Sequence, residues 1–186
     1  MKIALCGKMR SGKDSVAEHL EAKYDFKNFK LSSGITEIIN QYFPETRRTG
    51  KPREFYQLIG QTFRELDQDV WIKKTQRDIY RYMSRYDAKS NILISDLRQQ
   101  NEYEYLKKNG YIIVKVEADD DLRMNRILES NDVFNKDEFY HETEMSVDTI
   151  EADYVIKNNG TLIELYHKIG KMMIPHLLKE IEEKTT

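Results

Sequence analysis

The chain has 186 residues, of which 33% are charged but with a net charge of only −2, which argues against a general nucleic-acid-binding protein. Its 8 glycines and 3 prolines exclude collagen-like and low-complexity sequences, and its single cysteine excludes a disulfide framework and a cysteine-based zinc site. Because every apolar run is far shorter than the roughly 20 residues that span a bilayer, we expect a cytoplasmic protein without membrane or nucleic-acid partners.

Apolar patterns and helix breakers predict strands that alternate with helices along the chain. Strands are predicted at 2–6, 25–30, 91–95, 111–116 and 154–156. Helices are predicted at 13–24, 54–66, 70–86, 101–108, 119–129 and from 162 onward, and a further helix follows a cap at Ser32 or Ser33. This order favours βαβ crossovers, so we predict one α/β domain over residues 1–186, with a roughly five-stranded parallel sheet flanked by helices. Residues 32–86 contain only predicted helices and indicate an insertion beside that sheet.

Residues 7–13 match the pattern G-x-x-x-x-G-K between a predicted strand and a predicted helix. A phosphate-binding loop turns several backbone N–H groups inward, and glycines at both ends permit that tight turn. The start of the following helix favours negative charge, and the lysine can reach the β- and γ-phosphates. The context therefore predicts a P-loop that binds ATP. Its predicted ATP contacts are Gly7, Arg10, Ser11, Gly12 and Lys13.

The position after Lys13 departs from the usual P-loop pattern. It holds Asp14 where Ser or Thr commonly contacts Mg²⁺, and Ser15 follows. Asp14 either holds the hydration shell of Mg²⁺ or acts as an acidic residue in the first turn of the helix, and both alternatives stay open. Ser15 can hydrogen-bond an α-phosphate. We expect ATP and Mg²⁺ as cofactors, with Asp14 and Ser15 beside the metal, directly or through water.

Four segments, in the same order along the chain, resemble the phage-type deoxynucleoside monophosphate kinases. GKMRSGKDS at 7–15 is similar to their G-x-x-x-S-G-K-D-[ST] loop, and LIGQTFRELDQDVW at 58–71 to their L-x-G-T…R…D-x-D-x-W segment. SDLRQQNE at 95–102 matches S-D-x-R-x-x-N-E, and residues 151–160 resemble the final strand and its N-x-G turn. The loop alone is shared with dephospho-coenzyme A kinase and phosphomevalonate kinase, whereas the four segments together are more specific. Gln61 departs from the threonine that is common in the family.

The resemblance implies a P-loop nucleotide-kinase fold with a helical acceptor-binding insertion at 32–86 and a short lid at 127–141. The implied reaction transfers the γ-phosphoryl group of ATP to a (deoxy)nucleoside monophosphate, so the expected partner is a small nucleotide. Alternatives are a kinase of another small phosphorylated acceptor, such as dephospho-coenzyme A or phosphomevalonate, or a nucleotide-binding ATPase or regulator without an acceptor. The accepted base and sugar, and the choice between monomer and homodimer, stay open.

The resemblance also implies substrate contacts within the insertion. Arg64 would hold the acceptor phosphate, because a guanidinium matches phosphate oxygens; alternatively it pairs with Glu65 or Asp67. Trp71 either stacks on the acceptor base or anchors its helix in the core.

Asp96 ends a predicted strand at the sheet edge where ligands bind in open α/β folds. It can orient the waters of Mg²⁺ or the acceptor, and Arg98, two residues later, can contact the acceptor phosphate. The alternative is a cap on the next helix.

A predicted helix carries Arg123 and Arg126 three residues apart, so that both project to one side. Such a pair could neutralise charge on the transferring phosphoryl group, as the lid arginines of P-loop nucleotide kinases do, or could pair with neighbouring acids. Asn158 follows the last strand, in the turn that packs near the donor adenine in the family. The alternative is a turn residue chosen for its backbone conformation.

Overall fold

The computed structural model describes residues 1–49, 52–86, 90–130 and 146–185, and its centre is a sheet of five short strands. The strands are β1 (Lys2–Cys6), β2 (Phe26–Phe29), β3 (Asn91–Ile94), β4 (Ile112–Glu117) and β5 (Tyr154–Lys157). All four neighbouring pairs are parallel, in the order β2-β3-β1-β4-β5. The predicted five-stranded parallel sheet is therefore confirmed, and β1 is its central strand.

Seven α-helices connect and cover these strands within the described residues. They are α1 (Lys13–Tyr24), α2 (Ser33–Tyr42), α3 (Arg53–Leu66), α4 (Val70–Arg85), α5 (Gln100–Lys108), α6 (Asp120–Glu129) and α7 (Leu162–Thr185). Two 3-10 helices lie at Pro44–Thr49 and Ser146–Thr149. Where the sequence predicts both ends of a helix, the observed ends differ by at most one residue. No helix in the described part of the chain is both long enough and apolar enough to cross a membrane.

Two apolar layers hold the sheet between helices. On one face, α1 and α7 pack against side chains of β1 and β4 such as Leu5 and Val114. On the other face, α4, α5 and residues 147–150 pack against Ala4, Cys6 and Ile113. Residues 3–6 are therefore almost completely buried, as expected for a parallel strand covered on both faces.

The stretch 32–86 has helices and turns but no strand among its described residues, and it has a small core of its own around Ile35, Ile39 and Trp71. Helix α4 contributes to two cores: its Trp71 lies in the core of the insertion, and its Ile72 lies in the core under the sheet. Of the lid predicted at 127–141, residues 127–129 are the end of α6, and 131–141 lie outside the described residues.

We expect Leu93→Ala to destabilise the protein by about 2–5 kcal/mol, because the leucine is 0% exposed on β3 and its loss leaves a cavity. Leu66→Ala removes the same atoms from a side chain that is 84% exposed and should change stability by at most about 0.5 kcal/mol. Urea unfolding followed by circular dichroism measures both variants. Equal effects of the two substitutions would contradict the assigned core.

Candidate active site

The loop between β1 and α1 needs glycine at both of its ends. Gly7 and Gly12 have φ values of 147° and 103°, a conformation that side chains rarely adopt. A Cβ on Gly7 would collide with the carbonyl oxygen of Val116, and one on Gly12 with Nδ2 of Asn158. The two glycines of the P-loop pattern are therefore required by backbone conformation and by the neighbouring strand ends.

Lys13 folds back into this loop. Its ammonium donates to the carbonyl oxygens of Gly7 at 2.6 Å and Lys8 at 3.0 Å, and the residue is 9% exposed. The hydroxyl of Ser11 is also buried and has no hydrogen-bond partner among the described residues. A Cβ on Gly7 would come within 2.8 Å of that hydroxyl oxygen, so Ser11 lies across the loop from Gly7. A buried ammonium and an unpartnered hydroxyl around one turn fit an anionic phosphate group.

Residues from distant parts of the chain donate hydrogen bonds to three other carbonyl oxygens of the loop. Arg123 donates through Nε to Met9 at 2.8 Å, and Arg126 through Nη1 to Arg10 at 3.1 Å. The side-chain amide of Asn158 donates to the carbonyl of Ser11 at 2.8 Å. The loop is thus braced by α6 and by the turn after β5.

These three contacts show where the structure places residues that the sequence predicted for the donor side. Arg123 is 1% exposed and also pairs with Asp120 at 2.6 Å. Pairing with a neighbouring acid was the alternative given for this arginine in the sequence analysis. Arg126 additionally donates to the backbone carbonyl of Asn158 at 2.9 Å. Both guanidinium groups therefore add positive charge beside the P-loop. Their role in catalysis stays a prediction, as does a contact of Asn158 with adenine.

Asp14 and Ser15 lie in the first turn of α1, directly after Lys13. Asp14 is exposed and Ser15 is half-buried. Among the residues that the structure describes, no three His, Cys, Asp or Glu side chains gather into a metal site. Both alternatives for Asp14 are compatible with its exposed position.

Asp96 lies beyond the end of β3, beside the P-loop. Its carboxylate accepts from the backbone N–H groups of Leu31 at 2.7 Å and Ser32 at 3.0 Å and from the hydroxyl of Ser32 at 2.7 Å. The sequence predicted that Ser32 or Ser33 would cap α2; the observed N-cap Ser32 makes no side-chain cap bond, because its hydroxyl donates to Asp96 instead. Asp96 therefore ties the start of α2 to β3, and it does not cap the helix that follows it.

Arg64 and Arg98 are joined through Glu102. Nη2 of Arg64 lies 3.7 Å from Oε1 of Glu102, so its partner is neither of the two neighbours that the sequence suggested. The backbone N–H of Arg98 donates to Oε2 of Glu102 at 3.0 Å, and its carbonyl accepts from Ser146 at 2.9 Å. The sequence assigned Glu102 no role of its own; its place in the S-D-x-R-x-x-N-E segment was the available signal.

Trp71 lies in the core of the insertion. It is 4% exposed, its Nε1 donates to the carbonyl of Gly60 at 3.1 Å, and its ring packs 5.3 Å from that of Phe63. A Cβ on Gly34 would lie 2.7 Å from the indole. This environment favours the core interpretation over stacking on a base.

A cleft of about 460 Å³ opens beside the P-loop, at the carboxyl ends of β1, β4 and β5. Its walls carry charges of both signs, together with Ser11 from the loop: the cations Lys8, Lys115, Lys157 and Arg123 and the acids Glu117, Asp119, Asp120 and Asp148. Lys8 pairs with Asp148 at 2.8 Å across this cleft. Its volume lies in the range of small-ligand pockets, and its position is the edge where open α/β sheets bind ligands.

Comparisons with known proteins agree with this geometry. The model of a family described as an AAA domain matches residues 3–151. A deoxynucleotide monophosphate kinase of Escherichia phage RB69 is 26% identical over 162 residues, which cover 86% of this chain and 58% of that protein. The chain therefore spans less than two thirds of the length of this relative.

Two solved structures share the fold at low sequence identity. TT1252 from Thermus thermophilus has a TM-score of 0.62 at 18% identity and covers 95% of this chain and 97% of its own. Shikimate kinase from Aquifex aeolicus has a TM-score of 0.53 at 14% identity, with 96% and 99% covered. With the parallel sheet and the P-loop, these similarities confirm the predicted P-loop nucleotide-kinase fold.

We expect Asn158→Asp to weaken the binding of ATP, because a carboxylate cannot donate to the buried carbonyl of Ser11 and leaves it unsatisfied. Loss of one such partner costs about 1–3 kcal/mol, which is roughly a tenfold or larger change in affinity if the loop shifts. Calorimetric titration with a non-hydrolysable ATP analogue measures the change. Asn125→Asp, on the exposed side of α6, is the matched control. Equal affinities of the two variants would show that the brace does not shape the nucleotide site.

Proposed function

Because the chain belongs to the AAA domain family and has the P-loop kinase fold, we propose that it transfers the γ-phosphoryl group of ATP to a (deoxy)nucleoside monophosphate. The observation that carries this proposal is that two turns, each with a basic side chain able to bind a phosphate, lie next to each other at one edge of the sheet. The P-loop with Lys13 follows β1, and the turn with Asp96 and Arg98 follows the adjacent β3. The N–H of Leu97 donates to the carbonyl of Leu5 at 3.2 Å, so the two turns lie side by side.

On the donor side, we expect the P-loop and Lys13 to bind the phosphates of ATP. The ammonium of Lys13 would exchange its bonds to the carbonyls of Gly7 and Lys8 for bonds to the β- and γ-phosphates. Asp14 and Ser15 are the residues that we expect to hold Mg²⁺, directly or through water. When bound, the metal supplies further neutralising charge to the phosphates. Arg123 and Arg126 keep the loop in shape and add positive charge beside it.

On the acceptor side, Arg64 is the residue that we expect to hold the phosphate of the acceptor. Its side chain is 20% exposed, so it is not completely enclosed by the protein. Phosphoryl transfer needs little covalent chemistry from the protein, and positioning with charge neutralisation is sufficient. The phage relative acts, by its name, on deoxynucleotide monophosphates, which supports a nucleotide as the acceptor.

A coupled assay of ADP release tests the acceptor. It uses ATP with Mg²⁺ and a panel of deoxynucleoside and ribonucleoside monophosphates, dephospho-coenzyme A, phosphomevalonate and shikimate. We expect turnover with at least one nucleoside monophosphate. ADP release at the same rate without any acceptor, or only with a non-nucleotide acceptor, would overturn the proposal and select one of the alternatives.

We expect Lys13→Ala to lower kcat at least about a hundredfold, because it removes the positive charge nearest to the transferring group. The fold should persist, since the two bonds described above join the lysine to carbonyls of its own loop and not to the core. Lys23→Ala, an exposed change in the last turn of the same helix, serves as the control. Wild-type turnover of Lys13→Ala in the ADP assay would refute the assignment of the P-loop.

A further inference from the structure

Glu102 is a buried carboxylate at the start of α5. It is 4% exposed, and its Oε2 accepts from the backbone N–H groups of Arg98 and Gln99, both at 3.0 Å. Gln99 is the N-cap of the helix and Glu102 is its third residue, which is the geometry of a capping box. Capping therefore accounts for one of its two carboxylate oxygens.

The second oxygen faces a different element. Oε1 of Glu102 lies 3.7 Å from Nη2 of Arg64, which projects from α3. A glutamate is almost never fully buried without compensation, and here the two backbone N–H bonds and the more distant guanidinium of Arg64 supply it together. The glutamate side chain is 5% exposed and the arginine 20%, so the pair has a buried end and an end near solvent.

The preceding residue in the chain makes a second link from α5 to the insertion. The side-chain amide of Asn101 donates to the carbonyl of Gln68 at 3.2 Å and to the carboxylate of Asp69 at 3.1 Å. Both partners lie in the turn between α3 and α4. Two adjacent residues of α5 thus contact the insertion. Asn101 binds the turn between α3 and α4, and Glu102 pairs with Arg64.

We propose that Glu102 is a positioning residue for the acceptor: its charge orients the guanidinium of Arg64 toward the acceptor phosphate while its other oxygen holds the turn of Arg98. This inference rests on the proposed function. A capping glutamate alone would need no negative charge, because glutamine serves equally at that position of a capping box. The two roles can therefore be separated by experiment.

The charge of Glu102 depends on pH in a useful range. Burial, helped by the nearby charge of Asp96, raises the pKa of this carboxyl to about 7, although the two backbone N–H groups and Arg64 act to lower it. Arg64 from α3 and Asp96 beyond β3 are the charged groups that act on it. Above pH 7 the carboxylate is ionised and holds Arg64. As the pH falls through about 7, it becomes protonated and that hold is lost.

Glu102→Gln is the variant that separates the roles, because it keeps an oxygen for both N–H donors and replaces the charged oxygen that faces Arg64 with a neutral NH2 group. At pH 8 we expect the KM for the acceptor to rise roughly tenfold, the equivalent of one weak ionic contact. The kcat value and the KM for ATP should stay within about twofold, because the donor site is untouched. Glu104→Gln, exposed on the same helix, is the matched control and should behave as the wild type.

The pH profile gives a second readout. In the wild type, the KM for the acceptor should rise as the pH falls through 7, and Glu102→Gln should lack this step. Titration of the acceptor's own phosphate near pH 6 occurs with both proteins and cancels in the comparison. A wild-type KM and pH profile in Glu102→Gln, or a loss confined to kcat, would reduce Glu102 to a helix cap and overturn the inference.

A measurement without turnover separates failure of this inference from failure of the proposed function. The Nε–H resonance of Arg64 in ¹⁵N-labelled wild-type protein, assigned by its disappearance in Arg64→Lys, should shift with pH with a midpoint near 7. If no acceptor supports turnover but this shift is seen, the proposed function is wrong and the coupling of Glu102 to Arg64 stands. A resonance that does not change over the whole pH range in which the protein stays folded overturns the inference whatever the activity, even if Glu102→Gln does not fold.

Discussion

The candidate site depends on one constraint, which is that the buried carbonyl oxygens of the P-loop need hydrogen-bond donors. A loop that turns its N–H groups toward a phosphate turns carbonyl groups away from it, and buried carbonyls need donors. Arg123, Arg126 and Asn158 meet this need at Met9, Arg10 and Ser11. The elements after β4 and β5 are thereby joined to the turn after β1, and the position of α6 becomes part of the shape of the loop.

The other half of the site is organised by carboxylates rather than by cations. Asp96 accepts from the first residues at the start of α2, and Glu102 from those at the start of α5. Negative charge is favourable at a helix N-terminus, so both acids stabilise the elements that they connect. Each also reaches across to another part of the chain: Asp96 joins β3 to the insertion, and Glu102 joins α5 to Arg64. The insertion is held to the sheet by these polar contacts together with the apolar contacts of α4.

Local patterns were sufficient where the relevant forces are local. Strand and helix positions follow from the spacing of apolar residues, and the P-loop follows from glycines whose left-handed conformation few other residues adopt. Ser32 is the N-cap of α2, as predicted, but it makes no side-chain cap bond because a carboxylate more than sixty residues away accepts from its hydroxyl. No helical spacing could show that Arg64 faces Glu102 rather than its neighbours in sequence.

The sequence by itself determined the strand and helix order, the parallel sheet and the place of the phosphate loop. These depend on burial periodicity and backbone conformation, which are properties of short segments. Only the tertiary structure decided that Trp71 lies in the core and that Arg123 and Arg126 donate to carbonyls of the P-loop. It also decided that the buried Glu102 joins the turn of Arg98 to Arg64. These facts depend on which side chains meet after the sheet has formed, and the pairing energy of a buried charge depends on neighbours that are distant in the chain.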